Sequence, residues 1–278
     1  MMSDLPEILR QFRVDVERAE HLLNFIKRFR EFGGSAAPAQ VAEAHLPWPE
    51  AMVLLEESRN RRTDLPVLSG SLVLYLAGRF EYFVRQVIQS AAEDIASKVA
   101  SYVALPDSIR NELRVRTLEV AQQPRRYGFD EAEAAALLES LVNNQRGAVA
   151  PLTINAEVLS ITESNMKDRV IADLMKRVGM ESFWSEIGKQ AQVKLHLEKQ
   201  NDRETTAEVQ NRLNAIMEER NQIAHPTAAT QFPDPDQVLN SAALLKVLST
   251  VMVDVLLVYL GGFRAPLPAP AAAAVAAV

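Results

Sequence analysis

Cysteine is absent from this 278-residue chain. That excludes disulfides, thiolate metal sites and a cysteine nucleophile. It fits a reducing compartment, so the expected location is cytoplasmic. Positive charge is in deficit: 30 Lys and Arg against 36 Asp and Glu leave a net charge of −6. Such a balance argues against broad, nonspecific nucleic-acid binding, and any RNA contact has to come from a local basic patch. The start has no basic segment followed by an apolar run, so no signal peptide is expected. The most apolar stretch, residues 244–260, is interrupted by Lys246 and Asp254, which favours a buried helix over a membrane span. Also missing are a Gly-rich phosphate loop, a His-Glu-x-x-His zinc motif, a Gly-x-Ser-x-Gly elbow and any internal repeat. No cofactor and no metal are expected.

What is present reads as helix after helix. With 48% apolar and 24% charged residues, the chain can bury one large core or two modest ones. Residues 4–32 carry Ile8, Phe12, Val16, Ala19, Leu23 and Ile26 along one side and stop at Gly33-Gly34. Residues 34–47 read as an Ala/Pro-rich loop, and 49–61 as a short helix. From 67 to about 103 the pattern is helical, with a bend possible near Gly70 or Gly78. Residues 72–83 are apolar on nearly every face, which marks the central core helix. Further helices are expected over 108–122, from a capping box at Asp130 and Glu133 to about 144, over 165–178, over 181–197, over 205–224, and from a cap at Asp236 to 259. Residues 147–164 read as an extended connector or a short hairpin-like excursion. After Arg264 only Pro, Ala, Leu and Val remain, a low-complexity tail expected to be disordered.

The organising stretch is Glu218-Glu219-Arg220-Asn221-Gln222-Ile223-Ala224-His225-Pro226. Val209, Leu213 and Ile216 recur at intervals of three and four, and the same rhythm reaches Arg220. A cation on an apolar stripe needs a facing acceptor, because removing one partner of a buried pair costs about 3–5 kcal/mol. Glu81 shares a stripe with Leu74, Ala77, Val84 and Ile88, so the economical expectation is that Glu81 and Arg220 meet. That pair is either a structural ion pair or a carboxylate that orients Arg220 or His225. His225 precedes a proline, which ends the helix at or before it. The remaining histidines, His21, His45 and His196, have no telling spacing and read as structural or surface groups. Arg110, Arg114, Arg116, Arg125 and Arg126 form the one dense basic run. They are a solvated face or, if RNA is bound, the place for phosphate contacts.

The Arg220-Asn221-x-Ile223-Ala224-His225 string, at the end of a penultimate helix, resembles the signature of the HEPN superfamily. The form is that of its defence and toxin branch, related to RiboL-PSP-HEPN-like proteins. Arg79-Phe80-Glu81-Tyr82-Phe83-Val84 resembles that branch's earlier helix with an inward acidic residue. The resemblance covers about residues 60–262. It implies an all-α helical bundle of HEPN type, here with an additional N-terminal segment: 1–60 packed on the main domain, 61–263 as that domain, and 264–278 as the tail.

It also implies an activity, metal-independent endoribonuclease. His225 would be the acid/base, Arg220 the phosphate-binding and charge-stabilising group, and Asn221 the positioning amide. A histidine can take or give a proton near neutrality, and an arginine can hold a phosphate as charge grows on it. One Arg–His set lacks a second proton-transfer group, so a homodimer with the motif at its interface is implied. The expected partners are an RNA substrate, a second copy, and an antitoxin or defence-system protein; no membrane is expected. Two alternatives stay open: a catalytically silent HEPN-like RNA- or nucleotide-binding module, and a helical protein-interaction domain whose Arg220–Glu81 pair is only structural.

Overall fold

The computed structural model describes residues 4–35, 49–147 and 152–263. Among them eleven α-helices follow one another and no strand occurs. In chain order these are α1 (Leu5–Gly34), α2 (Pro49–Asn60), α3 (Leu65–Ser97), α4 (Asp107–Gln122), α5 (Glu131–Gln145), α6 (Ala156–Leu159), α7 (Asp168–Arg177), α8 (Phe183–Lys189), α9 (Ala191–Leu197), α10 (Asp202–Ala224) and α11 (Pro235–Gly261). The fold class is all-α, as the sequence predicts. The loop read at 34–47, including His45, lies largely outside the described residues, and the tail at 264–278 lies wholly outside them.

The apolar run at 72–83 makes α3 the axis of the fold. It buries Val73, Leu76, Phe80, Phe83, Val84 and Val87 on several sides at once, against α1, α10 and α11. Phe12 of α1 stacks on Phe83 with ring centroids 4.8 Å apart and tilts against Phe80 at 5.8 Å. Fully burying an aromatic or branched aliphatic side chain is worth about 1.5–3 kcal/mol, so this contact ties α1 firmly to α3. A buried carboxylate reinforces it. Asp15 of α1 accepts from Arg79 Nε at 2.6 Å, Tyr75 Oη at 3.0 Å and Arg18 Nη1 at 3.1 Å. At the other end of α1, Lys27 pairs with Asp236 and Arg30 with Asp234, at the start of α11. Both α3 and α11 are long and apolar enough to cross a membrane; here each is packed among other helices.

The differences from the sequence reading have local causes. α3 runs unbroken through Gly70 and Gly78 and ends at Ser97, short of 103. Gly70 serves close approach, not a bend: a Cβ there would lie 2.5 Å from the Phe232 ring. The helix expected over 181–197 is two helices, because Gln190 is extended (φ −75°, ψ 129°) between α8 and α9. α10 starts earlier, at Asp202, because the Asn201 side chain accepts from the amides of Arg203 and Glu204. α11 is capped by Asp234 rather than Asp236, in a box with Gln237 and with Pro235 in the first turn. The connector contains the single turn α6. The helix expected from 165 starts only at Asp168, and this last difference shapes the site. The box at Asp130 and Glu133 forms as expected.

Candidate functional site

The apolar stripe of α10 is Val209, Leu213, Ile216, Met217 and Ile223, all buried. Arg220 continues that stripe, but where the core gives way to an open cleft, so it is half-buried and not enclosed. The helix stops at Ala224. His225 leaves the helical region (φ −124°, ψ 67°) while its amide still donates to the Asn221 carbonyl, and its side chain is exposed. The proline at 226 accounts for that exit.

Glu81, Arg220, Asn221 and His225 line one polar cleft of about 460 Å³. The remaining wall is the segment after α6, which contributes Thr162, Glu163, Ser164 and Asn165. This segment has no helix of its own over 160–167, yet it is held throughout. Arg177, buried in α7, donates to the carbonyls of Leu159 at 3.0 Å and Ile161 at 2.7 Å. Gln89 of α3 donates to Ser160 Oγ at 2.8 Å. Met166 is fully buried. At the downstream end Asp168 and Asn214 of α10 bond reciprocally, amide to Oδ1 at 3.0 Å and Nδ2 to carboxylate at 2.9 Å.

The expected Glu81–Arg220 pair does not form. Glu81 accepts from Arg85, one helical turn further along α3, at 2.6 Å, and the same guanidinium reaches Thr162 Oγ1 at 3.2 Å. Glu81 and Arg85 stand one turn apart on one helix, where such a pair forms without any tertiary contact. Glu163, the other carboxylate of the cleft, is taken by Arg126 at 2.8 Å. Arg220 has no carboxylate partner among the described residues. Its Nη1 donates to Asn221 Oδ1 at 3.2 Å, and Asn165 Nδ2 donates to the same oxygen at 2.6 Å. Two donors converging on one oxygen fix the Asn221 amide. They also leave its Nδ2 without an acceptor among the described residues.

The basic run is divided. Arg126 sits beside the cleft through Glu163. Arg110 pairs with Asp107, and Arg116 with Glu112 and Glu119, all on α4. Arg110, Arg114, Arg116 and Arg125 do not line the cleft. Neither His21 nor His196 reaches it. Burial, and then Arg212, push the His196 imidazole below its ordinary pKa. Of the two glutamates before Arg220, Glu218 pairs with Lys167, and burial raises the Glu219 carboxyl on a different side of α10. A larger cleft, about 640 Å³, lies between α8 and α11 around Asp254 and Tyr259, with no basic or imidazole side chain.

Sequence reasoning missed Arg85, Thr162 and Asn165. For Arg85 the signal was in reach, since Glu81 and Arg85 are spaced as a helical ion pair. For Asn165 no local signal exists: its partner lies 56 positions away.

Residues 53–257 match the family model described as RiboL-PSP-HEPN. No curated protein and no solved structure gives a significant match.

Proposed function

The chain belongs to the RiboL-PSP-HEPN family, and on that premise we propose that it is a metal-independent endoribonuclease. One observation carries the reading. Arg220, free of any carboxylate among the described residues, shares an open cleft with exposed His225 and a fixed Asn221 amide. Both acidic groups of the cleft are already neutralised by Arg85 and Arg126, so an incoming phosphate meets the charge of Arg220.

The chemistry is internal transesterification. A base removes the proton of the ribose 2′-hydroxyl, and the 2′-oxygen bonds to phosphorus. The bond to the 5′-oxygen breaks, and an acid returns a proton to that oxygen. The products are a 2′,3′-cyclic phosphate and a 5′-hydroxyl. His225 serves one of the two proton transfers, a contribution of about 10²–10⁴ in rate. Arg220 and the Asn221 amide hold the phosphate oxygens while charge accumulates on them. The second transfer falls to the same residues of another copy, brought together across a two-fold axis. Exposure of His225 at the end of α10 is compatible with such an approach. The biological setting that suits this activity is a cytoplasmic defence or toxin–antitoxin system.

The test uses the purified protein and its Arg220→Ala and His225→Ala variants, incubated with tRNA and single-stranded RNA in EDTA, with analysis of product ends. Cyclic-phosphate ends that disappear in both variants support the reading. An inert wild type that still binds RNA would instead favour the non-catalytic binding module, and a protein that neither cleaves nor binds RNA would favour the interaction domain. DNA, lacking the 2′-hydroxyl, is expected to be untouched.

A further inference from the structure

The cleft at Arg220 continues at both ends. On one side it shares Thr162 and Glu163 with a second cleft, also about 460 Å³, whose far wall carries Arg85, Arg126 and Tyr127. On the other it shares Ser164, Asn165 and Asn221 with a third of about 580 Å³, also lined by Lys167, Arg169 and Asp168, the last held by Asn214. The two outer clefts have no lining residue in common, and along the shared segment their linings lie on either side of the middle one's. Residues 161–170 run along all three.

We infer that the three clefts form one track for a single strand of RNA, with the reacting phosphate in the middle and a flanking nucleotide at each end. The inference rests on the ribonuclease reading of the middle cleft. Each outer cleft has its own cation for a flanking phosphate. Arg169 is exposed and has no carboxylate partner among the described residues. Arg126 is exposed, and its contacts, an ion pair with Glu163 and a bond from Nη1 to Gln123 Oε1 at 3.3 Å, are surface ones that leave the guanidinium able to meet a phosphate as well. Arg85 Nε is a buried donor with no acceptor. Tyr127, half-buried beside Arg126, offers a ring on which a base can stack. Clefts of a few hundred Å³ each admit one nucleotide. Bases held in a duplex stay stacked and do not enter separate clefts, so the track selects unpaired RNA.

The experiment measures binding of fluorescent single-stranded RNAs of increasing length, across a salt series, to the non-cleaving His225→Ala protein. Arg126→Ala, Tyr127→Ala and Arg169→Ala are each added to that background. Arg10→Ala, at an exposed cation of α1 that lines none of the three clefts, is the control. Affinity should rise with length until the outer clefts are filled. Arg126→Ala and Arg169→Ala should each weaken binding by about five- to tenfold and lower the salt slope by about one. Tyr127→Ala should weaken binding by about tenfold with the slope unchanged, and Arg10→Ala should change neither. If the wild type cleaves RNA while the three variants bind like their parent with the same slope, the track is wrong and the middle cleft stands. Equal affinity for a duplex of the same length also overturns the track. If the wild type neither cleaves nor binds any RNA, track and ribonuclease reading fall together.

Discussion

Asn165 donates to Asn221 across 2.6 Å, from a segment without regular structure to the last turn of α10. Together with the Arg220 Nη1 contact on the same oxygen, it decides which way the Asn221 amide faces. Asn165 therefore acts on the cleft through Asn221 and positions it. Asn165→Ala is expected to lower kcat about tenfold with KM close to wild type, and to lower Tm by only about 2–4 °C, since one half-exposed hydrogen bond is worth about 1 kcal/mol. Asn165→Asp should be worse, because a carboxylate would repel the Asn221 oxygen and draw Arg220 into an ion pair. Steady-state kinetics of both variants checks the order. Equal activity in wild type and Asn165→Asp would show that the amide's orientation is immaterial.

Gly188 and Gly70 are two of the positions where a backbone or a ring comes too close for a side chain. At Gly188 in α8, an added Cβ would meet Thr206 Oγ1 at 2.0 Å and the Asp202 carbonyl at 2.6 Å. The backbone contact cannot give way as a side chain can. Gly188→Ala is expected to cost about 1–3 kcal/mol, seen as a drop in Tm. Gly70→Ala meets only the Phe232 ring and should cost less. Thermal melts that rank them in the opposite order would contradict the argument.

Asp15 collects three donors from α1 and α3. Asp15→Ala strands the Tyr75 hydroxyl and a partly exposed Arg79. The expected loss is about 1–3 kcal/mol, reduced by the solvent that reaches Arg79. Asp15→Asn keeps an acceptor and should lose less. Chemical denaturation of the two variants tests this, and a neutral Asp15→Ala would mean that water replaces the carboxylate without cost.

Burial lifts the Glu157 carboxyl above its ordinary range, and Glu157 in turn helps burial lift the nearby Glu93. A carboxyl that holds its proton more tightly when folded makes ionisation a cost. That cost is absent below the unfolded pKa, about 4.3, and fully present above the raised folded value. Glu157→Gln should therefore raise Tm near neutral pH, with a gain that shrinks as the pH falls towards 4. Melting curves across that window settle it; a gain independent of pH would point to packing instead.

How much of this was legible beforehand differs by element. The axis α3 was written in its sequence, since residues 72–83 are apolar on nearly every face and only a surrounded helix suits that pattern. The exit at His225 was equally plain, because a proline constrains its predecessor whatever the fold. The partner of Glu81 was misjudged: two charges on apolar stripes suggested a meeting, whereas the local i,i+4 choice, Arg85, was closer in every sense. The helix boundary at 165 misled for a different reason. Nothing nearby in sequence holds residues 160–167; Arg177, Gln89 and Asn214 do, from three separate helices, and tertiary bonds of that kind leave no periodic trace.

Those clamps have a further effect. A wall with no ladder or helical turn of its own would ordinarily open and close independently, and its amides would exchange with solvent early. Here Arg177 grips one end and Asp168 with Asn214 the other, while Met166 is sealed in the core. Opening the wall means breaking these bonds and exposing Met166, so its amides should exchange later than those of a free loop. The geometry of the cleft is thus tied to α7, and a substitution that loosens this helix outside the cleft would loosen the cleft's wall with it.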